Sequence, residues 1–283
     1  MNAKFREEII VLCIRAFSYS IIFVIGYILL DIIIHGIPVL NWEFITSLPR
    51  RSGAEGGIFP AIVGTVCLVL GAVLTALPLG LGSAIYLTEY AAQGRFTRSV
   101  RSAIITLAGV PSIVYGLFGL GLFVLFFGFG ASIIAGSLTL AFMILPTIVV
   151  SSEEALMAVP VSLREGSLAL GATRWQTIYR NVLPYALPGM ITGSILSIGR
   201  AAGETAPILL TVAAFYLPHL PNSIFDQVMA LPYHIYILAT QHPEADKVIP
   251  NVYGTALVLL IIVLGLNITA VFWRIRFRRK YRW

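Results

Sequence analysis

Two charged residues four positions apart, Arg200 and Glu204, interrupt the long apolar stretch from residue 186 to residue 214. Side chains at i and i+4 share one face of a helix, so the spacing predicts that these two meet. An unpaired arginine at the centre of a membrane helix costs roughly 2.5–3.5 kcal/mol on insertion scales, and it normally faces a cavity or a partner. Arginine offers planar donors that match an oxyanion, and a glutamate can hold the guanidinium. The pair therefore predicts a path for an anion. A self-neutralising ion pair that serves only packing is the alternative.

The composition indicates an integral membrane protein. The chain has 283 residues, of which 58% are hydrophobic and 11% are charged, and its mean hydropathy is +0.90. A soluble domain carries about 25% charged residues. The net charge of +6 does not point to nucleic acid, because the basic residues cluster at the ends of apolar runs, where orientation signals lie.

Six apolar runs are long enough to cross a membrane, and they predict an all-α fold with six transmembrane helices. The predicted spans are 9–34, 58–86, 102–127, 131–150, 186–214 and 252–272. The segments between spans alternate in charge. Most Lys and Arg residues fall on one side, including the tail 274–283, whereas Arg50, Arg51 and Lys247 fall on the other. The positive-inside rule then places both termini and the segment 153–184 in the cytoplasm.

Residues 153–184 form a long polar interruption with helical periodicity, and they predict two short cytoplasmic helices. Pro160 suits the start of the first helix, and Gly171 suits its end. Pro184 stops the second helix or starts the next one. In the second helix, one set of residues recurs at i, i+3, i+4 and i+7 and predicts an apolar face, Trp175, Ile178, Tyr179 and Val182. The residues predicted opposite are Arg174, Thr177 and Asn181.

This segment resembles the EAA loop of ABC importer permeases, E-A-A-x3-G-x9-I-x-L-P, which docks onto a separate ATPase subunit in that family. The residues that match are Glu165, Gly171, Leu183 and Pro184. Three positions differ, because Gly166 and Ser167 replace the two alanines and Asn181 replaces the isoleucine. The resemblance implies that Glu165 and Gly171 take part in coupling to the ATPase. The predicted apolar face adds Trp175, and the end of the motif adds Pro184.

Three further strings, GRAAGETAPILLTVAA, GVPSIVYGLFGLG and EGGIFPAIVGT, resemble the PstA-type permease subunits of bacterial phosphate ABC importers. The resemblance covers residues 41–214. It implies one permease domain over residues 1–283, with 153–184 as its coupling loop, in the cell (inner) membrane. It also implies a related permease partner (PstC-like), a dimer of ATPase subunits (PstB-like) and an external phosphate-binding protein (PstS-like). The family's intramembrane arginine corresponds to Arg200, and Glu204 lies beside it in the path.

The predicted function is therefore a permease subunit that moves inorganic phosphate inward. The sequence has no G-x4-G-K-[ST] phosphate loop, so we expect no ATPase activity and no cofactor in this chain itself. The four scattered histidines, His35, His219, His234 and His242, are expected to be solvated or capping residues and not metal ligands. Three alternatives stay open: an ABC permease for sulfate or molybdate, a secondary anion transporter or channel, and a membrane-embedded assembly protein.

Overall fold

The computed structural model describes residues 3–92 and 94–280, so the last three residues of the basic tail lie outside it. Helices dominate, and they are, in chain order, α1 (Ala3–Gly36), α2 (Trp42–Thr46), α3 (Phe59–Ile85), α4 (Arg95–Ala108), α5 (Ser112–Gly119), α6 (Ile133–Met157), α7 (Val161–Ala169), α8 (Arg174–Thr177), α9 (Leu183–Gly203), α10 (Ala206–Thr211), α11 (Leu231–Thr240) and α12 (Ala245–Lys280). Three π-helical turns extend this set, at Tyr86–Tyr90, Leu120–Phe126 and Ile178–Val182.

The all-α membrane fold is confirmed. Within residues 3–92 and 94–280, five helical segments are long and apolar enough to cross a membrane, and the bent pair α4 and α5 makes a sixth when counted as one. The predicted first, second, fourth and sixth spans correspond to α1, α3, α6 and α12. The orientation of the termini stays a prediction.

Helix α6 lies at the centre of the bundle, between α3 and α9. In its apolar segment 67% of the residues are buried, against 6% in α1. Small residues permit this close packing, because a side chain at Gly80 would collide with Ile148 and one at Gly193 would collide with Ser151. Helix α1, in contrast, packs on α12, where Gly36 leaves room for Leu257.

The predicted third span is not one straight helix. Helix α4 ends at Ala108, and the chain bends by 102° before α5 and its π-helical extension continue to Phe126. Pro111 lacks a backbone N–H and disfavours helical geometry in the residue before it, so it favours a break in the helix at this point. The Tyr115 hydroxyl donates to the Leu107 carbonyl over 2.8 Å and ties the two halves together.

The predicted fifth span also breaks. Helix α9 ends at Gly203, Glu204 adopts extended geometry, and the short α10 follows. The i, i+4 spacing predicted that Arg200 and Glu204 share one continuous helix, but the structure separates them at the end of α9. Pro207 explains the interruption, because proline fits the first turn of a new helix and not the interior of an old one.

A two-stranded hairpin, β1 (Pro49–Arg50) and β2 (Glu55–Gly56), connects the first two spans. Its turn has positive φ at Arg51, Ser52 and Gly53. Gly53 packs against His234 of α11. His234 was expected to be solvated or a cap, but only 3% of it is exposed, and α11 packs against the hairpin at Gly53.

Candidate functional site

Arg200 lies in the last turn of α9, and Glu204 follows the end of that helix. The Nε of Arg200 donates to the Glu204 Oε1 over 3.1 Å, so the predicted ion pair forms even though Glu204 has left the helix. The arginine side chain is 46% exposed and the glutamate side chain 16%. The pair is therefore open to its surroundings on the arginine side.

The pair lines a cleft of about 560 Å³ between α1, α9, α11 and α12. The rest of the lining consists of Gly199, Gly203 and aliphatic side chains, Ile32, Ile235, Ala256, Leu259, Leu260 and Val263. Among the described residues, no acceptor binds the two Nη groups of Arg200. An anion in this apolar cleft could therefore receive charge-assisted hydrogen bonds from both Nη groups, while Glu204 keeps the guanidinium plane in place.

A further polar group lies beside this cleft and was not predicted from the sequence, the carboxamide of Asn267 on α12. A Cβ on Gly199 would lie 3.3 Å from the Asn267 Oδ1, so the two helices approach closely at this level. The Oδ1 atom is buried and has no hydrogen-bond partner within the described residues. An asparagine in the middle of an apolar run was the signal that could have identified it.

Within the segment 153–184, residues 161–182 fold as the two short helices that the sequence predicts, whereas residues 153–157 form the end of α6. Helix α7 begins after Pro160, and Gly171 has φ +83°, a conformation that glycine adopts without strain. A capping box between Thr173 and Gln176 starts the second helix. This helix continues through the π turn into α9, so Pro184 starts α9 and does not stop its predecessor.

The predicted apolar face of the second helix is wrong. Ile178 and Val182 are buried, whereas Trp175 and Tyr179 are exposed and stack on each other with ring centroids 6.1 Å apart. The buried side of this helix also includes Thr177, so it is turned from the predicted apolar face toward the residues that were predicted to be polar. Glu165 is also exposed. The exposed residues of the segment therefore include an aromatic pair and a carboxylate.

Two residues predicted on the opposite, polar face point inward. The Thr177 hydroxyl lies 2.9 Å from the Ser167 Oγ, and the Asn181 Nδ2 donates to the same Ser167 Oγ over 2.8 Å. These hydrogen bonds hold α7 against the second helix. Glu165, Gly171 and Trp175 thus lie in the two-helix element, apart from Arg200 and Glu204 along the chain. Pro184 lies at the start of α9, which connects that element to Arg200.

A family profile described as "Binding-protein-dependent transport system inner membrane component" matches residues 76–283. The chain belongs to this family. This permease is 35% identical, over 288 residues that cover 95% of each chain, to the "Probable ABC transporter permease protein YqgI" of Bacillus subtilis. It is 41% identical over 228 residues to the "Phosphate transport system permease protein PstA 1" of Mycobacterium tuberculosis, across 80% of this chain and 72% of that one.

A solved structure supports the fold. A chain in the crystal structure of a bacterial ABC transporter for alginate import matches this permease with a TM-score of 0.68, and 96% of each chain is covered. The sequence identity is 15%, so this likeness concerns the fold alone. With the family membership, it makes this permease a multi-pass protein of the inner membrane.

Proposed function

We propose that this chain is the transmembrane permease subunit of an ATP-driven importer for inorganic phosphate. The observation that carries the proposal is the Arg200–Glu204 pair, which lines an otherwise apolar cleft in a membrane-spanning bundle. The 41% identity to a permease named for phosphate transport supports phosphate as the cargo. Phosphate is an oxyanion, and the planar donors of arginine suit its oxygens.

In the proposed mechanism, the free Nη groups of Arg200 hold the passing anion and Glu204 holds the guanidinium through its Nε. The segment 153–184 docks onto an ATPase subunit through its exposed surface, to which Glu165 and Trp175 contribute. Gly171 sets the turn between the two helices, and Pro184 begins the helix that carries Arg200. Closure of the ATPase dimer on ATP shifts the population between two packings of the spans.

The partners follow from the same proposal. A related, PstC-like permease completes the path, a PstB-like ATPase dimer supplies the hydrolysis, and a PstS-like binding protein delivers phosphate from outside. This chain contributes no ATPase activity, in keeping with the missing phosphate-loop motif in its sequence. Both termini and the segment 153–184 lie in the cytoplasm, and residues 1–283 form one permease domain.

The test is uptake of radiolabelled phosphate by the intact complex in liposomes, with and without ATP inside and the binding protein outside. Uptake that requires both components supports the proposal. Phosphate uptake that proceeds without ATP would indicate a secondary transporter. Uptake of sulfate or molybdate, with none of phosphate, would indicate a permease for another oxyanion.

A further inference from the structure

Three arginines from three different helices meet at the π turn Tyr86–Tyr90, which forms the C-terminal end of the second span. Arg101 of α4 donates from its Nη2 to the Leu87 carbonyl over 2.7 Å. Arg164 of α7 forms an ion pair with Glu89. The guanidinium of Arg174 in α8 lies over the Tyr90 ring, 5.8 Å from its centroid. Two of the three come from the segment 153–184.

The backbone of the π turn Tyr86–Tyr90 accepts a hydrogen bond from a side chain of another helix. In a π turn the backbone N–H bonds five residues back, as Ala91 does to the Tyr86 carbonyl over 2.8 Å. The Leu87 carbonyl accepts the Arg101 side chain. The same arginine also reaches the Glu153 carboxylate of α6 over 3.2 Å, so α4, α3 and α6 are tied together there.

Arg164 is the most extensively bonded of the three arginines. Its Nε and Nη2 face the Glu89 carboxylate, with the shortest contact 2.7 Å from Nη2 to Oε1. The remaining donors cap carbonyls at the end of α6 and just after it, Nη1 to Val159 over 2.7 Å and Nη2 to Leu156 over 2.8 Å. The side chains of Arg164 and Glu89 are 18% and 9% exposed. The guanidinium of Arg164 thus links α7 to the end of α6 and to the end of the second span.

These contacts leave α7 little freedom to move by itself. On one side Ser167 bonds to Thr177 and Asn181 of the second helix, and on the other side Arg164 bonds to Glu89. A displacement of α7 must therefore carry the end of α3 with it, or break a charge-assisted pair that is largely shielded from water. The second helix passes movement to α9 through the continuous backbone, whereas α3 is linked to α7 through this side-chain pair.

We propose that Arg164 is a positioning residue that transmits displacement of the segment 153–184 to the second span through Glu89. The inference rests on the proposed function, since the displacement is the one that an ATPase partner imposes. Arg164 then couples hydrolysis to the movement of α3. A residue that merely stabilised the fold would affect hydrolysis and uptake in the same proportion, because it would change only the amount of intact complex.

The experiment measures the ratio of ATP hydrolysed to phosphate transported by the intact complex in liposomes. The variants are Arg164→Gln, Arg164→Lys, Glu89→Gln and the double variant Arg164→Gln/Glu89→Gln. Arg98→Gln is the matched control, because Arg98 is an exposed arginine of α4 with no ion pair among the described residues. The melting temperature of each complex is recorded beside the ratio, and the ratio is compared at equal amounts of assembled complex.

We expect Arg164→Gln and Glu89→Gln each to raise the ratio by about tenfold, equivalent to roughly 1.4 kcal/mol of coupling. The ratio in Arg164→Lys should lie between the wild-type ratio and that of Arg164→Gln, because lysine keeps the charge and loses the planar fork. The double variant should be no worse than either single variant, because all three break one link. Arg98→Gln should leave the ratio unchanged. If Arg164→Gln does not assemble, Glu89→Asp replaces it, since that change keeps the charge and shortens the reach.

A ratio that stays at the wild-type value in the assembled Arg164 and Glu89 variants overturns the inference, and so do additive effects of the two single changes. Failure of the proposed function has a different signature. If the wild-type complex takes up no phosphate, the proposed function fails. If wild-type uptake is normal and the variants keep its ratio, only the role of Arg164 fails.

Discussion

Asn181 donates a hydrogen bond to Ser167 over 2.8 Å, and both positions depart from the EAA-loop pattern that the rest of the segment follows. In that pattern the two positions hold an alanine and an isoleucine. Here a polar pair replaces an apolar pair, and the Thr177 hydroxyl joins it. The two departures therefore compensate each other and keep α7 packed against the second helix.

A double-mutant cycle at these positions tests that compensation. Asn181→Ile should lower the apparent melting temperature by about 2–4 °C, because it removes one hydrogen bond worth about 1 kcal/mol. Ser167→Ala should lower it by more, because the Ser167 Oγ bonds to both Thr177 and Asn181. The double variant, which restores the common pattern, should lose less than the sum of the two. Thermal unfolding of the purified complex in detergent measures this. Strictly additive losses would mean that the two positions do not act as a pair.

The role of Arg200 is separable from its ion pair with Glu204. Arg200→Gln should reduce phosphate uptake about 100-fold at normal complex level, since hydrogen bonds to a charged group contribute roughly 1.5–3 kcal/mol each. Arg200→Lys should retain part of the uptake, because the charge persists. The deciding variant is Arg200→Gln with Glu204→Gln, which removes both charges together. Uptake near the wild-type value in that variant would assign Arg200 to packing and not to the path.

A glycine-to-alanine substitution can be compared at Gly171 and at Gly166, which have different backbone conformations. Gly171→Ala should destabilise the segment by about 1 kcal/mol, because Gly171 has φ +83° and an alanine there is strained. Gly166→Ala should be neutral or stabilising, since Gly166 lies inside α7 and open space surrounds the position of its Cβ. Melting temperatures and coupling ratios of the two complexes check this. Equal effects from both substitutions would contradict the role given to the turn.

Burial lowers the pKa of His234 from 6.5 to about 4, so this histidine stays neutral in the folded protein at neutral pH. Below pH 6.5 the unfolded chain binds a proton at His234 that the folded chain does not bind. The free energy of unfolding therefore falls as the pH drops from 6.5 toward 4. At pH 5 the loss should be about 2 kcal/mol. Melting curves at pH 7.5 and pH 5 should show this loss in the wild type and in the exposed-site control His219→Asn. His234→Leu should lack it, and an unchanged pH dependence in that variant would refute the assignment.

The orientation rests on the charge distribution, and cysteine labelling tests it. In a background without Cys13 and Cys67, a cysteine at Lys247 should react with an impermeant reagent added outside intact cells. A cysteine at Arg98 should react only after the membrane is opened. Lys247 is exposed in the first turn of α12, whereas Arg98 lies in the basic helix α4. The reverse pattern of labelling would invert the proposed topology.

The long apolar runs predicted α1, α3, α6 and α12, because a span of about 20 apolar residues dominates any local signal. The two helix breaks were harder to place, although each lies beside a glycine and a proline. Proline inside α3 and α6 leaves those helices unbroken, so proline alone does not decide where a span ends. The surrounding helices determine that, because they must satisfy the backbone groups that a proline leaves free.

The candidate site was also predictable from the sequence only in part. The Arg200–Glu204 pair was predictable because its partners lie four residues apart. The Arg164–Glu89 pair spans 75 residues, and nothing in the local sequence connects the two. The inward orientation of Thr177 and Asn181 was also hidden, since their hydrogen-bond partner Ser167 lies in the other helix, 10 and 14 residues away along the chain. The roles of Glu165, Gly171, Trp175, Pro184, Arg200 and Glu204 stay predictions, and the variants above test those of Gly171, Arg200 and Glu204.

The unbroken helix from Arg174 to Gly203 has a mechanical consequence. At 1.5 Å per residue, about 37 Å separate the level of Trp175 from that of Arg200. If the Trp175 end of this helix stays in place, a tilt of about 5° moves the level of Arg200 by about 3 Å. Charge-assisted hydrogen bonds hold only near 2.7–2.9 Å. Under the proposed function, a tilt of this helix by a few degrees about its aromatic end is therefore enough to make or break a hydrogen bond between Arg200 and an anion.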